Sequence, residues 1–469
     1  MTQFRDDMAA EDNSAARLGK ARAHVSDAQP SIVIAGAGET GLSVARHLNR
    51  LDTRFDVVDS RETPPNRHAF AELEKTRKLD VLPLCDKTLV AASEIVLSPG
   101  IPREERAVAG AIARGCSVVG DIELFARCVE GDVYGITGSN GKSTVTTMLR
   151  DILRGGGQRV VAGGNLGPPA LDLLTLDVST YVLELSSFQL ESTESLRVAA
   201  GAVLNISEDH QDRYESMSSY LAAKMRLADM SQHLVVPIEL VPMVPARAPE
   251  TLHTFSHRLD VDADFGLVSH TGQDWLYLPS GLLMPRHELG APGLHNVANA
   301  LAACALAWTQ GVNPQAMREA LRKFSGLEHR CQRVIEVDGV RWINDSKATN
   351  VGATQAAIAG LAPDGPILWL AGGVGKDADF SPLAQAVVSG VRHAILFGED
   401  AELIEGVVKD QVQTTRVSDL RAAVVKASEL AQTGDSVLLS PACASFDMFK
   451  NYADRGRQFA QLVNEVVEL

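Results

Sequence analysis

The 469-residue chain has no C-x-x-C pair among its six cysteines, at 85, 116, 128, 304, 331 and 443, and no Cys/His cluster of zinc spacing. A disulfide framework and a structural zinc site are thereby excluded, and the cysteines read as reduced, mostly buried thiols of a cytosolic protein. No apolar run approaches the ~20 residues that cross a bilayer. The first residues, with Asp6, Asp7, Glu11 and Asp12, lack the apolar segment of a signal peptide. A cytoplasmic protein without membrane insertion is expected. Basic excess is missing too: the net charge is −15, which argues against a nucleic-acid or anionic-membrane partner. Small anionic substrates stay compatible, since a local basic cleft can exist on an acidic protein.

What is present is ordinary for a globular enzyme, with 45% hydrophobic and 22% charged residues. At about 150 residues per domain, the length suggests three domains. Strand-like and helix-like stretches alternate, as in a mostly parallel sheet covered on both faces. The expected class is α/β: a Rossmann-like N-terminal domain, a central P-loop ATPase-type domain and a C-terminal Rossmann-like domain. The boundaries read as a loosely ordered extension over 1–30, then 31–120, 121–326 and 327–469.

The organising stretch is Val133-Tyr134-Gly135-Ile136-Thr137-Gly138-Ser139-Asn140-Gly141-Lys142-Ser143-Thr144, an apolar strand entering a Gly-rich turn and then a helix. Gly138 and Gly141 let the backbone approach an anion, amides at the helix start point at it, and Lys142 adds positive charge. Ser143 offers a hydroxyl to a magnesium ion. The strict P-loop pattern wants glycine where Ile136 stands, so this is a variant loop. A Gly-rich turn capping an ordinary helix is the competing reading. The strand, the Gly-Lys-Ser-Thr run and the helix in that order favour phosphate.

Earlier in the chain, Ser31 to Ala35 reads as a strand entering Gly36-Ala37-Gly38-Glu39-Thr40-Gly41, a G-x-G-x-x-G fingerprint in strand-turn-helix setting. A second strand ends at Asp59, about 20 residues on, where a ribose-binding acid belongs. Alone, this says NAD(P) or FAD; equally, the helix terminus could hold the diphosphate of another nucleotide. A further strand, Glu94 to Leu97, enters Ser98-Pro99-Gly100, at a carboxyl end where such sheets bind ligands.

After the phosphate loop, Glu184 and His210 stand at or just past the ends of buried strands. A lone strand-end Glu is usually solvated and a lone His is more often a cap or core residue. Magnesium on ATP needs a hard oxygen ligand near the Lys-Ser pair, which favours Glu184 as that ligand. Residues 225–292 suggest a small, partly antiparallel annex. Asn296 and Asn299 share a face of the next helix; Asn there is commonly a cap, and two on one face could meet a base or phosphate. In the last domain, apolar strands enter Asn344-Asp345-Ser346-Lys347, Gly372-Gly373-Val374-Gly375-Lys376 and Ser440-Pro441-Ala442-Cys443-Ala444-Ser445, so these loops should converge at one sheet edge.

The phosphate loop, Gly120 to Phe125, Glu184 to Glu191, Asn344 to Asn350 and Ser440 to Ser445 together resemble the Mur ligases, over about residues 31–469 and in family order. These enzymes add amino acids to the peptide of the bacterial cell-wall precursor. The set is similar to the member that adds glutamate, by family expectation the D isomer, to UDP-N-acetylmuramoyl-alanine. Glu39 in the first glycine loop, and Pro237-Ile238-Glu239-Leu240 after Lys224, depart from the family pattern.

The resemblance implies that the first domain holds the UDP end of the substrate, with no NAD, through Thr40, Gly41, Ser60, Arg61, Ser98, Pro99 and Gly100. It implies ATP on Gly138, Asn140, Gly141, Lys142, Ser143 and Thr144, closed over by Asn296, Asn299, Arg330 and Asp345. Two magnesium ions are implied, with Ser143, Glu184, His210 and a carbamylated Lys224 as ligands, and Asn165 and His210 meeting the UDP substrate. Lys142, His210 and Lys224 are the implied catalytic residues. Without the resemblance Lys224 reads as an exposed helix lysine. Lys347, Thr349, Lys376 and Ser445 are implied to receive glutamate, with Tyr452 nearby. A monomer acting on UDP-N-acetylmuramoyl-alanine, glutamate and ATP is expected. Two other readings are a nicotinamide oxidoreductase, resting on Gly36 to Gly41, and a relative adding glutamate to folates. A non-catalytic scaffold would give Lys142, Glu184 and Asp345 no reason to coexist.

Overall fold

The structure, a computed structural model, describes residues 32–467 apart from 65, 78–80, 166, 208–212, 250, 260 and 377. The expected extension over 1–30 and His210 lie outside the described residues. Two compact units divide the chain: Met1–Ser139 with Arg159–Leu234 and Val244–Thr251, and Asn140–Gln158 with Val235–Met243 and Leu252–Leu469.

In the first unit, β1 (Ile32–Ala35), β2 (Phe55–Asp59), β3 (Val81–Pro83), β4 (Glu94–Leu97) and β5 (Ser117–Val119) form a sheet in the order β3-β2-β1-β4-β5. All its pairings are parallel. Side chains alternate between the faces, as strand geometry requires: Ile32 and Ile34 enter one apolar cluster, Val33 and Ala35 another. The strand order reverses between β1 and β4, so the loops after them flank the crevice at the sheet's carboxyl edge. The strand β3 and the three-residue β5 were not read from the sequence.

The same unit contains β6 (Asp132–Thr137), β7 (Val160–Gly164), β8 (Thr180–Glu184) and β9 (Val198–Val203), parallel and in the order β9-β6-β8-β7. Glu184 pairs with Ile136 on one side and Gly164 on the other, which brings it to the end of β8 between two glycine-rich turns. The helix Met217–Met230 opens with a Ser216/Ser219 capping box. Strand β10 (Ser231–Pro237) follows it.

In the second unit, the helix Lys142–Gly155 packs against Leu294–Trp308 and Pro314–Lys323. The annex is β11 (Thr251–Leu259), β12 (Phe265–His270), β13 (Gln273–Leu278) and β14 (Gly281–Pro285), with β12-β13-β14 antiparallel and β11 parallel to β12. It is partly antiparallel, as expected.

The chain ends in a six-stranded sheet of β15 (Gln332–Val337), β16 (Val340–Asn344), β17 (Ile367–Ala371), β18 (Val391–Leu396), β19 (Gln413–Arg416) and β20 (Ser436–Leu439). Its order is β15-β16-β20-β17-β18-β19, parallel except for the edge strand β15. Trp369 and Leu438 face a core with Ile358, Leu383 and Ile404. Leu368, Leu370 and Val437 face the other, with Val424, Phe459 and Val463. Both faces are thus covered by helices. Because β16, β20 and β17 are neighbours, the three polar loops leaving them lie side by side.

Candidate functional site

At the carboxyl edge of the first sheet, three turns are drawn together. Gly36 has φ +105° and a Cβ there would lie 2.6 Å from the Ser98 hydroxyl, so only glycine lets the β1 and β4 turns meet. The Asp59 carboxylate accepts the Ala37 amide at 2.6 Å, and Arg61 through its amide, Nε and Nη2, each at 2.8 Å. The hydrogen bonds from Arg61 hold its carboxyl down at about 2. Asp59 sits where a dinucleotide fold keeps its ribose-binding acid, but here both oxygens are engaged within the protein. What this edge offers to a ligand is the Arg61 guanidinium, half exposed and fixed in direction. Glu39 is exposed on the first turn of the helix Glu39–Arg50, whose N-cap is Gly38 with no side-chain cap. Thr40 and Ser98 are half-buried, Gly41 is buried, and Ser60 and Gly100 are exposed.

In the same unit, β6 delivers Gly138 at φ +150°. The Ser139 amide donates to the Asn205 carbonyl at 3.0 Å, and its hydroxyl accepts the Ser207 amide at 3.0 Å. Lys224 is not the exposed helix lysine that its sequence context suggests: it is 2% exposed. Its ammonium donates to the Gly138 carbonyl at 2.9 Å and lies 4.4 Å from the centre of the Tyr220 ring. Glu184 is buried as well, against the usual behaviour of a strand-end carboxylate, and accepts the Asn165 side-chain amide at 2.7 Å. The Asn165 backbone amide donates to the Glu184 carbonyl at 2.9 Å, so the exposed Asn165 is tied to this strand end twice.

Two of the stretches that carry the family resemblance also meet each other in a joint. Gln189 donates to both oxygens of buried Asp121, while Glu123 accepts the amides of Glu194 and Ser195 at 2.7 and 2.8 Å. Burial pushes the Asp121 carboxyl up to about 6.

In the second unit, Gly141 caps the helix Lys142–Gly155 at φ +83° and offers no side chain to its first amides. Lys142 is half-buried and Ser143 and Thr144 are buried at that terminus. A helix start whose N-cap is a glycine, with a lysine in its first turn, has the polarity that suits an anion. On Leu294–Trp308 the cap is Gly293 rather than an asparagine. Asn296 donates to the Pro292 carbonyl at 2.7 Å and Asn299 to the Asn296 side-chain oxygen at 3.2 Å.

The loops after β16, β17 and β20 do converge. Buried Asp345 accepts the Ser440 hydroxyl at 2.8 Å and the Cys331 amide at 3.1 Å, and burial pushes its carboxyl up to about 7. Val374 and Ala444 form a two-way backbone bridge. Lys347 donates to the Tyr452 hydroxyl at 3.2 Å and lies over its ring. Lys376 is exposed, at φ +56°, with its ammonium 5.4 Å from the centre of the Phe446 ring. Ser445 is buried, Thr349 exposed and Arg330 half-buried. Among the described residues seven non-glycines have positive φ, and four of them, His329, Cys331, Lys376 and Ala442, belong to this region.

Sequence reasoning missed several residues here. His329, whose carbonyl accepts the Lys347 amide, is buried against Tyr452, and its Nε2 has no hydrogen-bond partner among the described residues. Its place directly before Arg330 was the one available signal. Asp400, which fixes the Gly375 amide at 2.6 Å, and Arg455, at the start of the last helix, gave none. The six cysteines are free thiols, three of them buried and three half-buried. No described helix is long and apolar enough to cross a membrane.

Comparison with known proteins matches the chain to three family models: the Mur ligase MurD-like N-terminal domain over 30–120, the Mur ligase middle domain over 136–307 and the Mur ligase glutamate ligase domain over 329–443. A UDP-N-acetylmuramoylalanine–D-glutamate ligase of Nitrosococcus oceani is 46% identical over 93% of this chain and 96% of its own. One of Pseudomonas aeruginosa is 46% identical over 92% of this chain and 98% of its own. Among solved structures, a MurF ligase of Thermotoga maritima in complex with ADP shares the fold at a TM-score of 0.58 and 15% identity, covering 94% of this chain and 95% of that one. A pseudomurein peptide ligase type C of Methanothermus fervidus does so at 0.55 and 18%, covering 94% and 99%. With three domain models in order along one sequence and near-full-length relatives at this identity, the chain belongs to the Mur ligases, among the UDP-N-acetylmuramoylalanine–D-glutamate ligases.

Proposed function

We propose that this chain joins D-glutamate to the carboxyl group of UDP-N-acetylmuramoyl-L-alanine at the expense of ATP, as a cytoplasmic monomer making a peptidoglycan precursor. The observation that carries the reading is the 46% identity across 93% of the chain to a relative of that name. The nicotinamide alternative is disfavoured by Asp59, whose oxygens are spent on Arg61 and Ala37. The folate alternative is disfavoured by the MurD-like match over the whole N-terminal domain.

A carboxylate is a poor electrophile, so the substrate oxygen first attacks the γ-phosphorus of ATP and ADP leaves. Lys142 and the helix start after Gly141 neutralise the phosphoryl charge by position and electrostatics. The glutamate amine then attacks the acyl carbon, loses a proton, and phosphate departs with the former carboxylate oxygen. Asn296, Asn299, Arg330 and Asp345 hold the nucleotide. Thr40, Gly41, Ser60, Arg61, Ser98, Pro99, Gly100 and Asn165 hold the UDP substrate. Lys347, Thr349, Lys376, Ser445 and Tyr452 receive glutamate. A charge-assisted contact from Lys376 to the incoming carboxylate is worth roughly 1.5–3 kcal/mol, enough to favour a diacid over alanine.

Magnesium fits the donors present. An ion on ATP is held mainly by phosphate oxygens and water, with one carboxylate and one hydroxyl from the protein, hard oxygen donors of the kind magnesium takes. Glu184 and Ser143 would supply those, and Lys224, once carbamylated, an oxygen for a second ion, for which His210 is the other expected ligand. The ion supplies positive charge to the phosphates. The reading is tested by phosphate release from ATP by the purified protein. Release should require UDP-N-acetylmuramoyl-alanine and D-glutamate together, and be unaffected by NAD; release driven by a folate acceptor would replace it.

A further inference from the structure

The helix Tyr452–Val467 carries Arg455 fully inside the last domain, with no exposed surface. Nε donates to the Ser346 hydroxyl at 2.9 Å. Nη2 donates to the Ser346 carbonyl at 2.9 Å and the Cys443 carbonyl at 3.0 Å, and Nη1 to the carbonyls of Gly372 and Ala444, both at 3.4 Å. A guanidinium has five N–H donors in a rigid planar fork, and here all five are used. The oxygens they meet come from three separate loops, those after β16, β17 and β20.

These loops carry Lys347, Lys376 and Ser445, the residues given to glutamate above. Ser346, held at both its hydroxyl and its carbonyl, immediately precedes Lys347, and its hydroxyl in turn donates to the Tyr452 carbonyl at 2.8 Å. Ala444 immediately precedes Ser445 and is bridged to Val374, two residues before Lys376. A buried cation is costly to keep. A fully buried guanidinium bound to neutral oxygens is a poor way to gain stability, and an effective way to fix the relative positions of three loops. Chain carbonyls alone cannot do this, because they repel one another.

We infer that Arg455 is a positioning residue for the amino-acid substrate: its five-donor fork sets the spacing of the loops that present Lys347, Lys376 and Ser445 to the glutamate carboxylates. The inference rests on the assignment of glutamate to those loops. It predicts that lysine, which keeps the charge but has three donors around one atom, does not substitute.

The test measures steady-state constants for Arg455→Lys and Arg455→Ala, with Lys376→Ala and Ser445→Ala as companions. Arg455→Lys should raise the KM for D-glutamate at least tenfold while the KM values for ATP and the UDP substrate stay within twofold, and added guanidinium should restore much of the loss in Arg455→Ala. Should those variants not fold, Ser346→Ala, which removes the Nε acceptor, should raise the glutamate KM at least threefold. A folded Arg455→Lys, or Ser346→Ala in its place, with glutamate KM within twofold of wild type overturns the inference even if its Tm is lowered. Where that happens while Lys376→Ala and Ser445→Ala do raise the glutamate KM, only the role of Arg455 falls. Where those two leave it unchanged as well, the glutamate assignment itself is wrong.

Discussion

Lys224 donates its ammonium to the carbonyl oxygen of Gly138 across 2.9 Å, while the Tyr220 ring lies 4.4 Å from the same nitrogen. A buried lysine on one helix thereby holds the first glycine of the phosphate loop. Replacing it by methionine, which keeps the bulk and removes the donor, deletes that buried hydrogen bond. The expected cost is about 1–3 kcal/mol of unfolding free energy in a denaturant titration, together with at least a hundredfold loss of kcat.

Lys142 stands at a helix start that offers no side-chain cap. Lys142→Ala should abolish ATP turnover while binding of the UDP substrate, measured by calorimetry, stays within about threefold of wild type. Loss of that binding in a folded variant would mean that the domain roles are misassigned.

Asp59→Asn weakens the two-point grip on the Arg61 side chain and leaves the backbone turn largely intact. Because the Arg61 side chain is half exposed, the effect on stability should be small. Its effect on direction should show as a KM for the UDP substrate raised about tenfold, equivalent to ~1.4 kcal/mol, with the KM for ATP unchanged.

Asp345 gives the unliganded chain a pH dependence of stability. Burial pushes its carboxyl up to about 7, against ~4 in an unfolded chain. Between those values the folded state keeps a proton that the unfolded state has lost, so stability falls as pH rises through the window and levels off above it. Asp345→Asn should remove most of that slope: compared with wild type, it should gain roughly 3–4 kcal/mol between pH 4.5 and pH 8 in urea titrations. Asp121, pushed to about 6 by the same cause, leaves a smaller slope behind.

Much of this was legible in the chain because period-2 apolar strands run straight into glycine-rich or polar loops. The strands before Gly36 and Gly138, the helix after Gly141 and the three loops of the last domain are local patterns, and the structure has them where the sequence placed them. What escaped depends on contacts between residues far apart. The helix Met217–Met230 buries Tyr220, Ala223, Leu227 and Ala228 along one face at helical spacing, with Lys224 among them, so the residue type, a charged lysine, hid a position that the spacing puts inside. Arg455 stands in Asp454-Arg455-Gly456-Arg457, which reads as solvated surface, and its partners are 11 to 109 residues away. The three-residue strands β3 and β5 are too short for any periodicity. Asp59 was legible as a strand-end acid, but its partner two residues on was not weighed against a ribose.

The activation of one substrate's carboxylate by the γ-phosphate of ATP is tested most directly by isotope transfer. UDP-N-acetylmuramoyl-alanine labelled with 18O in its alanine carboxylate is incubated with the chain, ATP and D-glutamate, and the released phosphate is analysed by mass spectrometry. One labelled oxygen should appear in each phosphate formed, in step with the amide product. Product formed with unlabelled phosphate would contradict the account.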